Sequence, residues 1–302
     1  MDGVLVVDKP AGVTSHDVVD EVRRRLGTRR VGHAGTLDPG ATGVLVLGVG
    51  RATRLLSYAQ QPPKRYRATA VFGVSTTTQD AWGEVLATAP ARITRADVVA
   101  ALDGFVGEIE QVPPMVSAVK VGGERLYRKA RRGESVERAA RRVTVFALEL
   151  VGWRPGDRPE AVLDVVCSAG TYVRTLVSDL GDALGCGAHL AALRRSEAGG
   201  FTEADAVALD DVGPEALRPL ADAVPQLPAL EVDEAAARHA CHGRPLAHPA
   251  PVAEGEAVAV VCGGELIAVY VRRGPELVAD RVVGPGAPAP DGGPPRREGA
   301  GR

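Results

Sequence analysis

The sequence of 302 residues predicts an α+β protein with a mixed, mainly antiparallel central sheet and a small β-rich C-terminal domain. Three observations carry that expectation. Strand-like runs outnumber helical ones, and they do not alternate with helices as a doubly wound parallel sheet requires. The chain is 45% hydrophobic and 25% charged, an ordinary globular composition. Its longest apolar runs, such as Val44–Val49, fall far short of the roughly 18 residues of a spanning helix, which excludes membrane and fibrous classes.

The elements follow in order. Val4–Val7 reads as a short buried strand, followed by the turn residues Pro10 and Gly12. Ser15 is the expected N-cap of a helix through Leu26, with Val18, Val19, Val22 and Leu26 on one face. Gly27–Gly43 is a long glycine-rich loop, a kind that is usually functional, and it ends at the strand Val44–Val49. A helix from about Ala52, strands at Arg65–Val74 and Glu84–Thr88, a helix capped by Thr94, and strands at Val116–Val121, Arg141–Trp153 and Ala161–Cys167 come next. Thr171 is the expected cap of a helix with Val173, Leu176, Val177, Leu180 and Leu184 in phase. Pro219, Pro225 and Pro228 mark a boundary, beyond which lie a helix near Asp233–His242 and strands at Ala257–Val261, Leu266–Val271 and Glu276–Val283. From Gly284 onward 11 of 19 residues are Gly or Pro, so this tail is expected to be disordered. The expected division is a domain over 1–225, a module over 226–283 and a tail over 284–302.

No basic n-region opens the chain, so no signal peptide is expected and the cytoplasm is the expected compartment. The four cysteines show no Cys-x-x-Cys spacing, which favours reduced thiols. His239, Cys241, His242 and His248 cluster, but no second close pair has finger-like spacing, and no metal is expected. Gly48-Val49-Gly50 follows a strand, yet the third glycine position is Thr53, and no Asp or Glu occurs between Arg51 and Gln79 to hold a ribose hydroxyl. No Gly-Lys-Ser/Thr follows a glycine-rich loop. Dinucleotide and P-loop chemistry are therefore disfavoured.

A formal net charge of −2 argues on its face against a nucleic-acid partner, but the charge is uneven. Through Phe201 there are 27 basic and 22 acidic residues; after it there are 9 and 16. Lys120–Arg142 holds nine Lys/Arg against three Glu, the footprint expected where phosphates dock, although such blocks are also ordinary solvated faces. Only four of the 36 basic residues are lysines, so Lys9, Lys64, Lys120 and Lys129 stand out.

Three features could carry chemistry. In Gly32–Gly43 the glycines admit a ligand close to the backbone, and Pro39 holds Asp38 extended, although Asp38-Pro39-Gly40 also fits a plain turn. Arg174 sits in the first turn of a helix, where the macrodipole disfavours a cation; an anionic partner such as Asp38 or an RNA phosphate would explain it, and so would plain solvent exposure. Tyr66 in Lys64-Arg65-Tyr66-Arg67 suits base stacking beside phosphate contacts, or faces the core of an amphipathic strand; Tyr172 is open in the same way.

Taken together, Val4-Leu5-Val6-Val7-Asp8-Lys9-Pro10-Ala11-Gly12-Val13-Thr14-Ser15, Gly32-His33-Ala34-Gly35-Thr36-Leu37-Asp38-Pro39, Ala41-Thr42-Gly43-Val44-Leu45, Lys64-Arg65-Tyr66-Arg67, Ser117-Ala118-Val119-Lys120, Gly170-Thr171-Tyr172-Val173-Arg174-Thr175, Gly185-Cys186-Gly187-Ala188-His189-Leu190 and Leu193-Arg194-Arg195 resemble the TruB family of tRNA pseudouridine-55 synthases. Their order and spacing cover Gly3 to about Arg195. The resemblance implies a pseudouridine synthase fold with a PUA-like C-terminal domain. It also implies a cofactor-free isomerisation, in which the N-glycosidic bond of a T-arm uridine breaks, the uracil turns in the site and a carbon–carbon bond forms. Asp38 falls on the essential aspartate and Tyr66 on the tyrosine that stacks on the target base. Arg174 falls on the arginine paired with that aspartate, a pairing expected to keep Asp38 ionised. Leu193 matches an apolar residue under the flipped base, and His33 one that engages the RNA loop. Lys9, Lys64, Lys120 and Tyr172 join them as candidate RNA contacts, with Arg128, Arg131 and Arg132 from the basic segment. No obligatory protein partner is evident.

Two departures are visible. Val116 stands where the family usually has an aromatic residue, and Thr76-Thr77-Thr78 stands for Thr-Asp-Thr ahead of Asp80; neither was expected to touch Asp38. A non-catalytic tRNA-binding or tRNA-folding protein on the same scaffold is the alternative, and intact Asp38, Tyr66 and Arg174 speak against it. A nucleoside or glycoside hydrolase would place paired carboxylates, whereas the loop offers one.

Overall fold

The apolar run Val4–Val7 forms the middle of strand β1 (Gly3–Lys9), which pairs antiparallel with β3 (Thr42–Val49) so that Gly3 faces Val49 and Lys9 faces Gly43. These strands belong to a computed structural model that describes residues 1–115, 120–121, 124–125, 132, 136–247 and 252–285. The chain divides into two compact units, Met1–Ala223 and a second from Val224 onward.

Between β1 and β3 lie helix α1 (Ser15–Leu26) and the short strand β2 (Val31–His33). Thr14, not Ser15, caps α1: its hydroxyl accepts from the Asp17 N–H, and the Asp17 carboxylate accepts from the Thr14 N–H. Ser15 is buried, and its hydroxyl bonds the Leu37 backbone instead. The helix after β3 is a 3₁₀ turn over Gly50–Leu55 that runs into α2 (Leu56–Ala59). In β4 (Lys64–Phe72) buried and exposed positions alternate, which puts Lys64, Tyr66 and Ala68 inside and Arg65 and Arg67 outside. A hairpin of β5 (Val74–Thr76) and β6 (Val85–Thr88) follows, then α3 (Arg95–Leu102), capped by Thr94 as expected.

The chain continues through β7 (Gly107–Gln111), β8 (Lys120–Val121), β9 (Glu124–Arg125), β10 (Arg141–Arg154) and β11 (Glu160–Cys167). Of the expected strand Val116–Val121, only Lys120 and Val121 fall within the described residues. Next come α4 (Val173–Ala183), β12 (Ala188–Ala198), β13 (Phe201–Thr202) and β14 (Val207–Ala208). Tyr172, not Thr171, precedes α4, and it makes no side-chain cap; the neighbouring Gln111 side chain instead accepts from the Tyr172 N–H at 3.0 Å. The buried stripe Val173, Leu176, Val177 and Leu180 holds α4 against β12 and β4, each side chain contributing roughly 1.5–3 kcal/mol.

Among the described residues the main sheet runs β14-β1-β3-β12-β4-β11-β10-β7, with β2 added to β3 and β13 to β12. Only the β1–β14 and β3–β12 pairs are parallel, so the sheet is mixed and mainly antiparallel, as predicted. The strand β12 was not expected. Its sequence Ala188–Ala198 is rich in Ala, Leu, Arg and Glu, yet it lies mid-sheet between β3 and β4, where tertiary pairing overrides helix propensity.

The second unit has a five-stranded sheet ordered β15 (Ala229–Glu231), β17 (Ala257–Cys262), β18 (Glu265–Arg273), β19 (Glu276–Val282) and β16 (Leu246–Ala247). Helix α5 (Glu234–Cys241), capped by Asp233, closes its core, in which the buried Tyr270 hydroxyl donates to the Arg244 carbonyl at 2.8 Å. Residues 286–302 of the expected tail lie outside the described residues. Among those described, no helix is long and apolar enough to cross a membrane.

Candidate active site

Asp38 lies on the loop between β2 and β3, and its neighbours on that loop are tied down individually. The Ser15 hydroxyl accepts from the Leu37 N–H at 2.8 Å and lies 3.0 Å from the Leu37 carbonyl, to which it donates. The Gly12 N–H donates to the Pro39 carbonyl at 2.9 Å, and the Lys9 ammonium reaches the same oxygen at 3.2 Å, as well as the Pro10 and Val13 carbonyls. On the far side the Arg195 guanidinium donates to the carbonyls of Gly35, Thr36 and Val44. Lys9 and Arg195 are almost wholly buried, so both cations serve as internal clamps on backbone oxygens. Lys9, expected among the RNA contacts, is placed here as a clamp, its three donors on carbonyls.

Arg174, only 3% exposed, projects from the first turn of α4 to the Asp38 carboxylate, with Nη2 at 3.2 Å from Oδ1 and 3.1 Å from Oδ2. The anionic partner that its position called for is thus a carboxylate. Its Nη1 reaches the Thr78 carbonyl at 3.4 Å and lies 3.6 Å from Asp80 Oδ2. Arg174 therefore bridges two carboxylates, and the Thr76–Asp80 stretch, which does not touch Asp38 directly, is linked to it through this guanidinium. The sequence hint was present in Asp80 itself, an acid in an otherwise neutral run, but only the fold reveals its partner.

The Asp38 side chain keeps 41% of its surface open, directed into a cleft of about 240 Å³. The protein walls around it push its carboxyl above the usual range; Arg174 and Lys9 pull it down and Asp80 pushes it up further. The opening to solvent limits that rise. Arg174, expected to keep Asp38 ionised, does pull its carboxyl down, but desolvation is the larger effect. Tyr66, Tyr172 and Leu193 also line the cleft, and Asp38 is the one carboxylate among its lining residues. Tyr66 is buried, and burial raises its hydroxyl above 10, opposed by Arg195. An ionisable carboxylate, an aromatic wall and an apolar wall suit attack on, or proton abstraction from, a bound nucleoside.

Lys64 also lines the cleft, but its ammonium is buried and donates to the Gln60 carbonyl at 2.7 Å, and burial lowers it to about 8. It is a wall of the cleft more than an outer phosphate contact. His33, half-buried on β2, accepts the Gly35 N–H at Nδ1 and thereby helps shape the loop. Lys120 stands on β8, Arg132 is exposed, and Arg128 and Arg131 lie outside the described residues.

Comparison with known proteins identifies the family. Residues 23–173 match the TruB family pseudouridylate synthase N-terminal domain, and residues 174–221 match the tRNA pseudouridylate synthase B C-terminal domain. The tRNA pseudouridine synthase B of Symbiobacterium thermophilum is 55% identical over 80% of this chain and 82% of its own; that of Thermobifida fusca is 53% identical over 83% and 89%. Among solved structures, a chain of a Cbf5-Nop10-Gar1 complex is 28% identical with a TM-score of 0.74, covering 94% of this chain and 85% of its own. A chain of an H/ACA RNP bound to a substrate RNA containing 2′-deoxyuridine gives 25%, 0.73, 94% and 86%.

Proposed function

The chain belongs to the TruB family of pseudouridylate synthases, and on that premise we propose that it acts in the cytoplasm on uridine-55, in the T-arm of tRNA. Its reaction is the isomerisation of a uridine of tRNA to pseudouridine. In this reading the target nucleotide is flipped out of its stack at a cost of a few kcal/mol and enters the cleft above Asp38. Tyr66 stacks on its base and Leu193 packs beneath it. Asp38 acts on the ribose as nucleophile or base, while Arg174 fixes the direction of its carboxylate. The glycosidic bond breaks, the uracil turns, and a carbon–carbon bond re-forms, with no cofactor and no protein partner required. The basic segment with Lys120, Arg128, Arg131 and Arg132 contacts phosphates and offsets the cost of flipping.

One observation carries the reading: a single carboxylate faces the cleft, its loop clamped by Ser15, Lys9 and Arg195, with an arginine at its back. A glycosidase would need a second acid facing the same ligand, and Asp80 is engaged with Thr78, Trp82 and Arg174. The test uses an unmodified tRNA transcript labelled at uracil C5, in EDTA and without nucleotide. The expected result is release of label from one uridine, abolished when uridine-55 is replaced by cytidine. Absence of release from the natural transcript contradicts the function, and release unaffected by the replacement contradicts the position.

A further inference from the structure

The chain has two tryptophans, and they are used differently. Trp153 packs against the core, its ring 6.4 Å from that of Phe72. Trp82 is 72% exposed in a protein with only 4% aromatic residues, and nothing in the chemistry described above employs it.

Its placement is nonetheless rigid. The backbone from Thr76 to Gly83 is tied back on itself. The Thr76 hydroxyl donates to the Asp80 carbonyl at 2.7 Å, and the Trp82 N–H donates to Asp80 Oδ1 at 3.0 Å. The turn is paired onto β12 through Ala81 N–H to the Leu190 carbonyl and Leu190 N–H to the Gln79 carbonyl, both 3.0 Å. Gln79 takes a positive φ of 64°, a strained conformation that persists only where the surroundings over-determine it. The indole lies against Gly40, two residues after Asp38, so closely that a Cβ at position 40 would run into it. A second cavity of about 200 Å³ opens here, walled by Trp82, Pro39, Ala41 and Leu190, and it shares Asp38, Arg174 and Leu193 with the first.

We propose that Trp82 is a stacking platform for a second base of the RNA substrate, a neighbour of the target uridine, seated in this adjoining cavity. The inference rests on the RNA-modifying reading of the first cleft. A rigid exposed indole over small apolar walls accepts any flat nucleobase, and stacking on an aromatic side chain is worth about 1–3 kcal/mol per base. Continuity with the first cleft determines which base arrives: the strand that places a uridine over Asp38 must pass its flanking nucleotide within reach of Trp82. Asp80 and Thr78 also line this cavity, and the charge of Asp80 is met by Arg174, which limits its repulsion of the strand.

The test titrates the protein with an unmodified T-arm stem-loop RNA, following tryptophan fluorescence, with Trp82→Phe as the blank that retains Trp153. Quenching is expected in the wild type, absent in the blank, and lost when one nucleotide beside the target is made abasic. Trp82→Ala is expected to raise KM for pseudouridine formation about 5- to 150-fold with kcat within about twofold, and Trp82→Phe to restore most of the loss. An unchanged KM in Trp82→Ala, or quenching indifferent to every abasic position, overturns the proposal. So does a fluorescence change that follows protein concentration without RNA, which would assign the exposed Trp82, Val85 and Leu86 to self-association. If wild type binds and quenches but makes no pseudouridine, the functional reading fails while the platform stands.

Discussion

Asp38 is one of 38 acidic residues, and what distinguishes it is the set of groups that hold it. Its own identity and that of Arg174 could be read in sequence, because a carboxylate fixed by a following proline and a cation in a helix's first turn are both locally anomalous. The clamps could not. Ser15 reads as a helix cap and Lys9 as a phosphate contact, because their actual partners, Leu37 and Pro39, are 22 and 30 residues away. Burying cations against neutral carbonyls has a measurable consequence. Burial lowers Lys9 and Lys64 from 10.5 to about 8, so below pH 8 both states carry the charge and the desolvation penalty is present in full. Between about 8 and 10.5 the unfolded chain binds more protons than the native one, and stability rises with pH at up to about 1.4 kcal/mol per unit for each lysine. Cys167, raised by burial to about 11, opposes this above its ordinary value of 9. A comparison of wild type with Lys64→Met removes most of that shared contribution, since Lys64 is the smallest influence on Cys167. In thermal unfolding, the wild type is expected to gain stability relative to Lys64→Met as pH rises from 8 to 10. A constant difference would mean that Lys64 is not desolvated.

At the scale of elements, the legible parts were those whose pattern is local: β1, β3, β4 and β11 by apolar runs or alternation, α1 and α4 by apolar stripes. The strand β12 was illegible because Arg194, Arg195 and Glu197 interrupt the apolar alternation, and one of them, Arg195, points inward to serve the Asp38 loop. The site thus depends on how closely β12 approaches β3. Gly43, opposite Arg195 in that pairing, has φ of +102°, and a Cβ there would collide with the Arg195 backbone. Gly43→Ala adds left-handed strain of roughly 1–2 kcal/mol to an overpacking cost of similar size, about 3 kcal/mol together. The urea midpoint is expected to fall accordingly; an unchanged midpoint would mean that the β3–β12 approach does not position the site.

Across the whole molecule, charge does not divide along the boundary between the two compact units. A division at Phe201 leaves the first part at +5, but the first compact unit extends to Ala223 and holds 28 basic and 28 acidic residues. The contrast therefore lies within that unit, between the basic segment 120–142 and the acidic stretch from Thr202, and not between the two units. Binding and chemistry are divided between different groups: the RNA is held by many contacts, and the reaction is performed at one carboxylate. Asp38→Asn keeps size and shape while removing that charge. The most direct measurement sets its rate of C5-label release beside its affinity for the same unmodified tRNA. The prediction is that release is abolished while affinity stays within a few-fold of wild type; retained release, or an affinity that collapses along with it, would contradict a catalytic role for Asp38.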